Sequence, residues 1–209
     1  MKNYQIILIV FVAASVVMVT VVPMLRKKIY NSLLVLLRNK DFPKLYEMLD
    51  KPTTVFLLPK AQSLYIRLQG ALAEKSDQVD AILDALIPLV KDTKAKNELI
   101  MRGFNYYVDK EDKETAKKYL DLVNGTSNDN MKKEANRVYH IYIDKSDEDL
   151  EDLLKELETM PAIQKGVPEY LISIIYKNKH DSKNQAKYEK LSRQHMNLLN
   201  EQFLQQTKK

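Results

Sequence analysis

Residues 6–25 read IILIVFVAASVVMVTVVPML, an apolar run without charge in which only Ser15 and Thr20 are polar. At ~1.5 Å per residue this is ~30 Å of helix, the thickness of a bilayer's hydrocarbon core, so the pattern predicts a transmembrane helix. The helix is expected to continue past Pro23 into IYNSLLVLLRNK. Beyond it the apolar positions become periodic. Ile100, Phe104 and Tyr107, then Ala135, Tyr139 and Tyr142, recur at i, i+4 and i+7, the spacing of one buried helix face. Leu150, Leu153, Leu154 and Leu157 form a similar stripe. The C-terminal run from Ser182 reads as one long helix with Tyr188, Leu191, His195, Leu198, Leu199 and Phe203 near one face.

A longer period overlies the helical one. The segments LLRNKDFPKLYEML, LAEKSDQVDAILDAL, YVDKEDKETAKKYLDL, YIDKSDEDLEDLLKEL and YKNKHDSKNQAKYEKL align on Asp41, Asp77, Asp112, Asp147 and Asp181, at spacings of 36, 35, 35 and 34 residues. In each, an apolar helix ends in a lysine-bearing turn, which suits the negative end of the helix dipole, and the aspartate is expected to cap the next helix. Each unit is then a helical hairpin. One hairpin cannot bury its apolar face alone, so neighbours are expected to stack.

Units of this length, made of two antiparallel helices, resemble the tetratricopeptide repeat. Tyr107, Tyr142 and Tyr176 match the family's aromatic position near the end of the first helix, and Ala81 and Ala116 its small position in the second. The family's glycine is displaced, with Gly70 and Gly103 each one residue away, and its closing proline is missing. The expected fold is all-α: a transmembrane helix within residues 1–25, a solenoid of about five αα-hairpins over 26–199, and a polar helical end over 200–209. The resemblance implies a concave groove lined by first helices, drawing on Ile66, Glu98, Met101, Asn105, Lys133, Asn136, His140, Tyr170 and Ile174. Family members that grip a carboxylate use a lysine and an arginine four apart, and Lys133 and Arg137 have that spacing. The supporting asparagine positions fall on Gly103 and Leu72, which argues against such a clamp, and a solvated face is the plain alternative.

Charge refines the location. Of 33 Lys and Arg, six (Lys2, Arg26, Lys27, Lys28, Arg38 and Lys40) fall in the first 40 residues, where there is no acid, while the remaining 27 face 28 acids. The basic pI near 9.1 therefore belongs to the flank of the apolar run, and no concentrated basic surface for nucleic acid is indicated. The basic flank Arg26, Lys27, Lys28 places the following domain in the cytoplasm by the lysine and arginine bias of membrane proteins. A cleaved leader would need a small-x-small site after its apolar core, which VVPMLRKK lacks.

Chemistry is sparse. The absence of cysteine removes thiolate nucleophiles and sulfur-ligated metals, and four glycines leave no phosphate-cradling loop. His140, His180 and His195 lack metal-ligand spacing among themselves, and the acidic run Asp147, Glu148, Asp149, Glu151, Asp152 lacks the glycine and spacing of a calcium loop, so it reads as charge at a helix start. No cofactor, metal, catalytic set or small-molecule substrate is indicated. The expected function is that of a membrane-tethered adaptor holding a protein or peptide partner. The alternative is an extracytoplasmic accessory subunit of a secretion or envelope complex.

Overall fold

The computed structural model describes residues 4, 10–12, 15 and 17–206, apart from the side chains of 17, 199 and 202–206. Among them the secondary structure is helical, without a strand, so the protein is all-α. A π-helical turn, Val17–Val21, leads into helix α1, Val22–Arg38, with Pro23 in its first turn. Proline lacks the N–H of a regular ladder and its ring crowds the carbonyl four residues earlier, and a widened turn relieves both. The chain thus runs helically through Pro23, as its sequence suggests.

Of the segment expected to span a membrane, residues 6–9, 13, 14 and 16 lie outside the described residues. Among the described residues no helix is long and apolar enough to cross one.

The chain divides into two compact units, Met1–Leu99 and Ile100–Lys209. In the first, α1 is followed by α2 (Phe42–Asp50), α3 (Pro52–Leu57), α4 (Lys60–Ala73) and α5 (Val79–Leu86). Leu33, Leu45, Leu49, Leu58 and Ile66 form its core cluster, flanked by Ile29, Tyr30, Phe42 and Tyr46. Helix α3 is an insertion not foreseen in the repeat, bounded by Pro52 at its start and Pro59 just beyond its end. Helix α6, Thr93–Asp109, runs from the first unit into the second. There α7 (Lys113–Asn124), α8 (Asp129–Tyr142), α9 (Leu150–Thr159), α10 (Gly166–Asn178) and α11 (Ser182–Gln206) follow. Ile141, Leu153, Leu171, Ile172 and Ile175 form a core cluster here, packed by Tyr142, Tyr176, Tyr188 and Leu157.

Five turns carry the long period. Lys40, Lys75, Glu111, Lys145 and His180 have φ between 53° and 57°, the left-handed conformation that closes a helix end, at intervals of 34 to 36 residues. After each, the next residue's N–H reaches back into the finished helix: Asp41 to Leu36 O (3.0 Å), Ser76 to Ala71 O (2.9 Å), Asp112 to Tyr107 O (3.0 Å) and Asp181 to Tyr176 O (2.9 Å). In the fourth turn the bond is one residue longer, from Ser146 N–H to His140 O at 2.9 Å.

Three of the five anchoring aspartates cap helices as expected. Asp41, Asp112 and Asp181 accept from the N–H of Lys44 (3.4 Å), Thr115 (3.1 Å) and Asn184 (3.1 Å). The other two turns depart from the expectation. Ser76 and Ser146 follow the left-handed residue and accept from the N–H of Gln78 and Glu148, both at 3.2 Å, while Gln78 and Asp149 take the N-cap positions of α5 and α9. The inserted serine moves Asp77 and Asp147 one position past the turn, and Asp147 pairs with Lys179 of the next turn. Lys145 likewise reaches Glu111 (3.4 Å), joining two left-handed residues 34 positions apart.

Packing follows the apolar stripes with three corrections. Ile100, Phe104, Tyr107, Ala135 and Tyr139 are buried, as is Leu153. Ala116 is fully buried but Ala81 is exposed, so only one of the two small positions packs a helix. Leu198, assigned to the buried stripe of α11, is 44% exposed. Tyr107 and Tyr176 stack within their own hairpins, on Tyr119 and Tyr188, each pair with centroids 5.7 Å apart. Tyr142 reaches a residue of another pair, Tyr170 of α10.

Candidate functional site

The nine groove residues inferred from the sequence separate by environment. Ile66 is 1% exposed and belongs to the core cluster of the first unit, so it is not a groove residue. Ile174 packs against the core of the second unit and is only partly accessible. Glu98, Asn105 and Lys133 are exposed, Met101, Asn136 and His140 are half-buried, and Tyr170 is 43% exposed. Glu98 lies in the first unit and the others of this group in the second.

On α8 the residues of one turn are drawn into a charge network. Arg137 is buried at 3% exposure and grips Glu156 of α9 with two bonds, Nη2 to Oε1 at 2.9 Å and Nη1 to Oε2 at 3.1 Å. Lys133 Nζ donates to the same Oε1 at 2.7 Å. Both cations of the pair are thus engaged by a carboxylate of the protein itself, Arg137 from the interior and Lys133 from the solvent-exposed side. The bonds from Arg137 and then Lys133 outweigh burial and hold the Glu156 carboxyl down at about 2. Burial opposes the charge of Arg137, yet the Glu156 bond prevails and its pKa is raised. Glu134 adds a contact to Nη1 at 3.4 Å. Asp149 Oδ1 stands 3.6 Å from Nε, which is buried without a hydrogen-bond partner.

One turn further along α8, His140 meets the acidic run. Its Nδ1 is 2.6 Å from Glu148 Oε1 and 3.3 Å from Asp149 Oδ2. The three residues place one ligand-type atom each within 4.8 Å of one another. The longer fourth turn brings this about, since Ser146 bonds back to His140 itself and so folds Glu148 and Asp149 over the imidazole. Asn136, on the same helix, is committed to Asn124 Oδ1 and Lys132 O, both at 2.8 Å.

Sequence reasoning missed a buried acid on α10. Glu169, 3% exposed in α10, lies with its Oε2 2.7 Å from His195 Nδ1 of α11. Nearby, Ser192 donates to Gly166 O at 2.7 Å, and a Cβ on Gly166 would stand 2.7 Å from Met196 Cγ. The sign that could have found the pair is an acid inside the apolar run VPEYLISIIY, together with a histidine on the apolar stripe of α11. Tyr170 lines a surface hollow of about 340 Å³ with Glu189, Ser192, Arg193 and Met196. Burial and then the Tyr170 contacts push the Tyr142 phenol above its ordinary range.

Compared with protein-family models, curated proteins and solved structures, the chain matches none. What the fold and site define is an all-α protein with a buried arginine–carboxylate network on α8 and α9.

Proposed function

We propose that this protein is a membrane-tethered adaptor whose tetratricopeptide-like hairpins hold a protein or peptide partner, and that it is not an enzyme. The observation that carries the reading is the recurrence of the left-handed turn at 34 to 36 residues, with a pair of α-helices in each period after Lys75 and the extra helix α3 in the period before it. Stacked pairs of this kind offer extended surfaces for other chains. Apolar faces of α6 and α8 are spent on packing, while Asn105 and Lys133 stand exposed on these helices and Tyr170 opens onto the hollow beside α11. In the second unit these three, with Met101 and His140, are the contact candidates, while Asn136 is held by Asn124 and Ile174 packs on the core; Glu98 is a separate candidate of the first unit. Ile66 is withdrawn.

Tethering rests on residues 6–25. Val10, Phe11, Val12, Met18, Val19 and Met24 are 53% to 75% exposed, an apolar surface that lipid would cover, and Arg26, Lys27 and Lys28 follow it, exposed. The basic flank supports a cytoplasmic repeat domain.

Crosslinking from native membranes with mass spectrometry tests the adaptor reading. A discrete partner joined through Lys133 or residues beside Asn105 and Tyr170 is expected. Crosslinks confined to the chain itself, or turnover by the purified protein that survives loss of these contacts, would overturn it. The chain lacks cysteine, so one engineered near Lys209 reports orientation. Its labelling by a membrane-impermeant reagent in intact cells would reverse the assignment.

A further inference from the structure

We propose that His140, Glu148 and Asp149 form a binding site for a divalent transition-metal ion of the zinc type, held between the C-terminal turn of α8 and the start of α9. The three side chains offer one imidazole nitrogen and two carboxylate oxygens, all within 4.8 Å of one another. That donor set suits zinc and its neighbours, whereas calcium requires six to eight oxygens. Three protein ligands leave a coordination position for water, and it would be open: the side chains of His140 and Glu148 are 35% and 60% exposed.

The surroundings carry a matching charge and a support. Lys133 and Arg137 are the cations of the network, against the carboxylates of Glu134, Glu148, Asp149 and Glu156, which leaves two negative charges uncompensated. Arg137 and Lys133 both donate to Glu156. Independently of the cluster, the buried Nε of Arg137 has no hydrogen-bond acceptor and faces Asp149 Oδ1 at 3.6 Å. A ligand on Asp149 Oδ2 that drew the carboxylate into register would let Nε close that gap, the support that metal-bound carboxylates commonly receive. On binding, the metal takes the Nδ1 lone pair and any proton on Nδ1 leaves to solvent. This site does not depend on the chain being membrane-bound or an adaptor.

The test uses the full chain in detergent micelles, without a histidine tag and stripped of metal by a chelator. Titration with zinc by calorimetry, and with cobalt by visible absorption, is expected to give one site per chain. His140→Ala and Glu148→Gln should each weaken it at least about tenfold, and the cobalt band of low-coordinate geometry should vanish. His180→Asn, which keeps a residue tolerant of the left-handed backbone, should leave the titration unchanged. Circular dichroism establishes that each variant is folded, and Glu148, being exposed, provides the reading should His140→Ala fail to fold. Absence of zinc binding by the wild-type chain, or a site of undiminished affinity in Glu148→Gln, would overturn the proposal.

Discussion

A Cβ on Gly103 would stand 2.5 Å from Cε1 of Tyr119, closer than such atoms ever approach. Gly103 therefore lets the fully buried Tyr119 ring of α7 reach the backbone of α6, where it also stacks on Tyr107. Alanine is a better helix former than glycine by about 1 kcal/mol, yet here overpacking dominates. Gly103→Ala should cost about 1 to 3 kcal/mol. In a Tyr119→Leu background the same change should be neutral or stabilising. Urea denaturation of the four proteins decides this, and equal effects of the alanine in both backgrounds would show that the contact does not matter.

Acid stability should depend on Glu156. Its carboxyl ionises at about 2 in the folded chain against an ordinary value of 4.5, chiefly through the Arg137 bonds. A lowered pKa means that the folded state holds its proton less tightly than the unfolded one. The contribution is complete above pH 4.5 and fades as pH falls toward 2. With partial solvent screening it amounts to about 2 kcal/mol. Glu156→Gln should be destabilised by at least this at neutral pH, since Arg137 stays buried without its counter-charge, and its stability should fall less between pH 5 and pH 2. Parallel slopes for the two proteins would contradict the assignment.

The capping turns yield a sharper contrast, because two aspartates that look equivalent in sequence are not equivalent in structure. Asp112 accepts from Thr115 N–H at 3.1 Å and from its hydroxyl at 2.8 Å. Asp112→Ala should cost about 1 kcal/mol. Asp147 caps no helix in this manner and makes an exposed pair with Lys179. Asp147→Ala should leave stability nearly unchanged, and added salt should shrink its effect further. Thermal melts at low and high salt check both.

The helical stripes were legible because burial imposes the 3.6-residue period directly on residue choice: Ile100, Phe104 and Tyr107 all lie in the core. The long period was legible through Asp41, Asp112 and Asp181, but where Ser76 and Ser146 intervene, aligning on aspartate put the cap at Asp77 and Asp147, one and two residues before the N-caps Gln78 and Asp149. Each serine closes a local turn by accepting from the N–H two residues on, so aspartate alone does not mark the helix start. Arg137 illustrates a different limit. Lys133 and Arg137 lie close together on α8, and spacing alone made them look like one solvated face. The long arginine stem lets its head turn inward, and whether it does is decided by Glu156 on another helix. The meeting of His140 with Glu148 and Asp149 was equally hidden, since the longer fourth turn that creates it is a property of backbone hydrogen bonding and not of composition.

The last prediction separates packing from contact on α6. Tyr107 is 5% exposed, stacked on Tyr119 and set edge-on to Tyr106 at 5.0 Å, so its ring belongs to the interior of the α6–α7 pair. Tyr107→Ala leaves a cavity beside a ring that has lost its partner and should cost about 3 to 5 kcal/mol. Tyr176 makes the corresponding stack on Tyr188 but is only half-buried, so Tyr176→Ala should cost clearly less than Tyr107→Ala. Asn105, two residues from Tyr107 and on the exposed side of the same helix, should change stability by no more than about 0.5 kcal/mol when replaced by alanine. Its effect should instead fall on capture of the partner identified by crosslinking. Denaturation of the three variants, followed by the crosslinking assay on those that remain folded, measures both quantities on the same proteins. An Asn105→Ala protein as unstable as Tyr107→Ala would mean that the exposed side of α6 is a packing face, and the proposed contact surface would then lose Asn105.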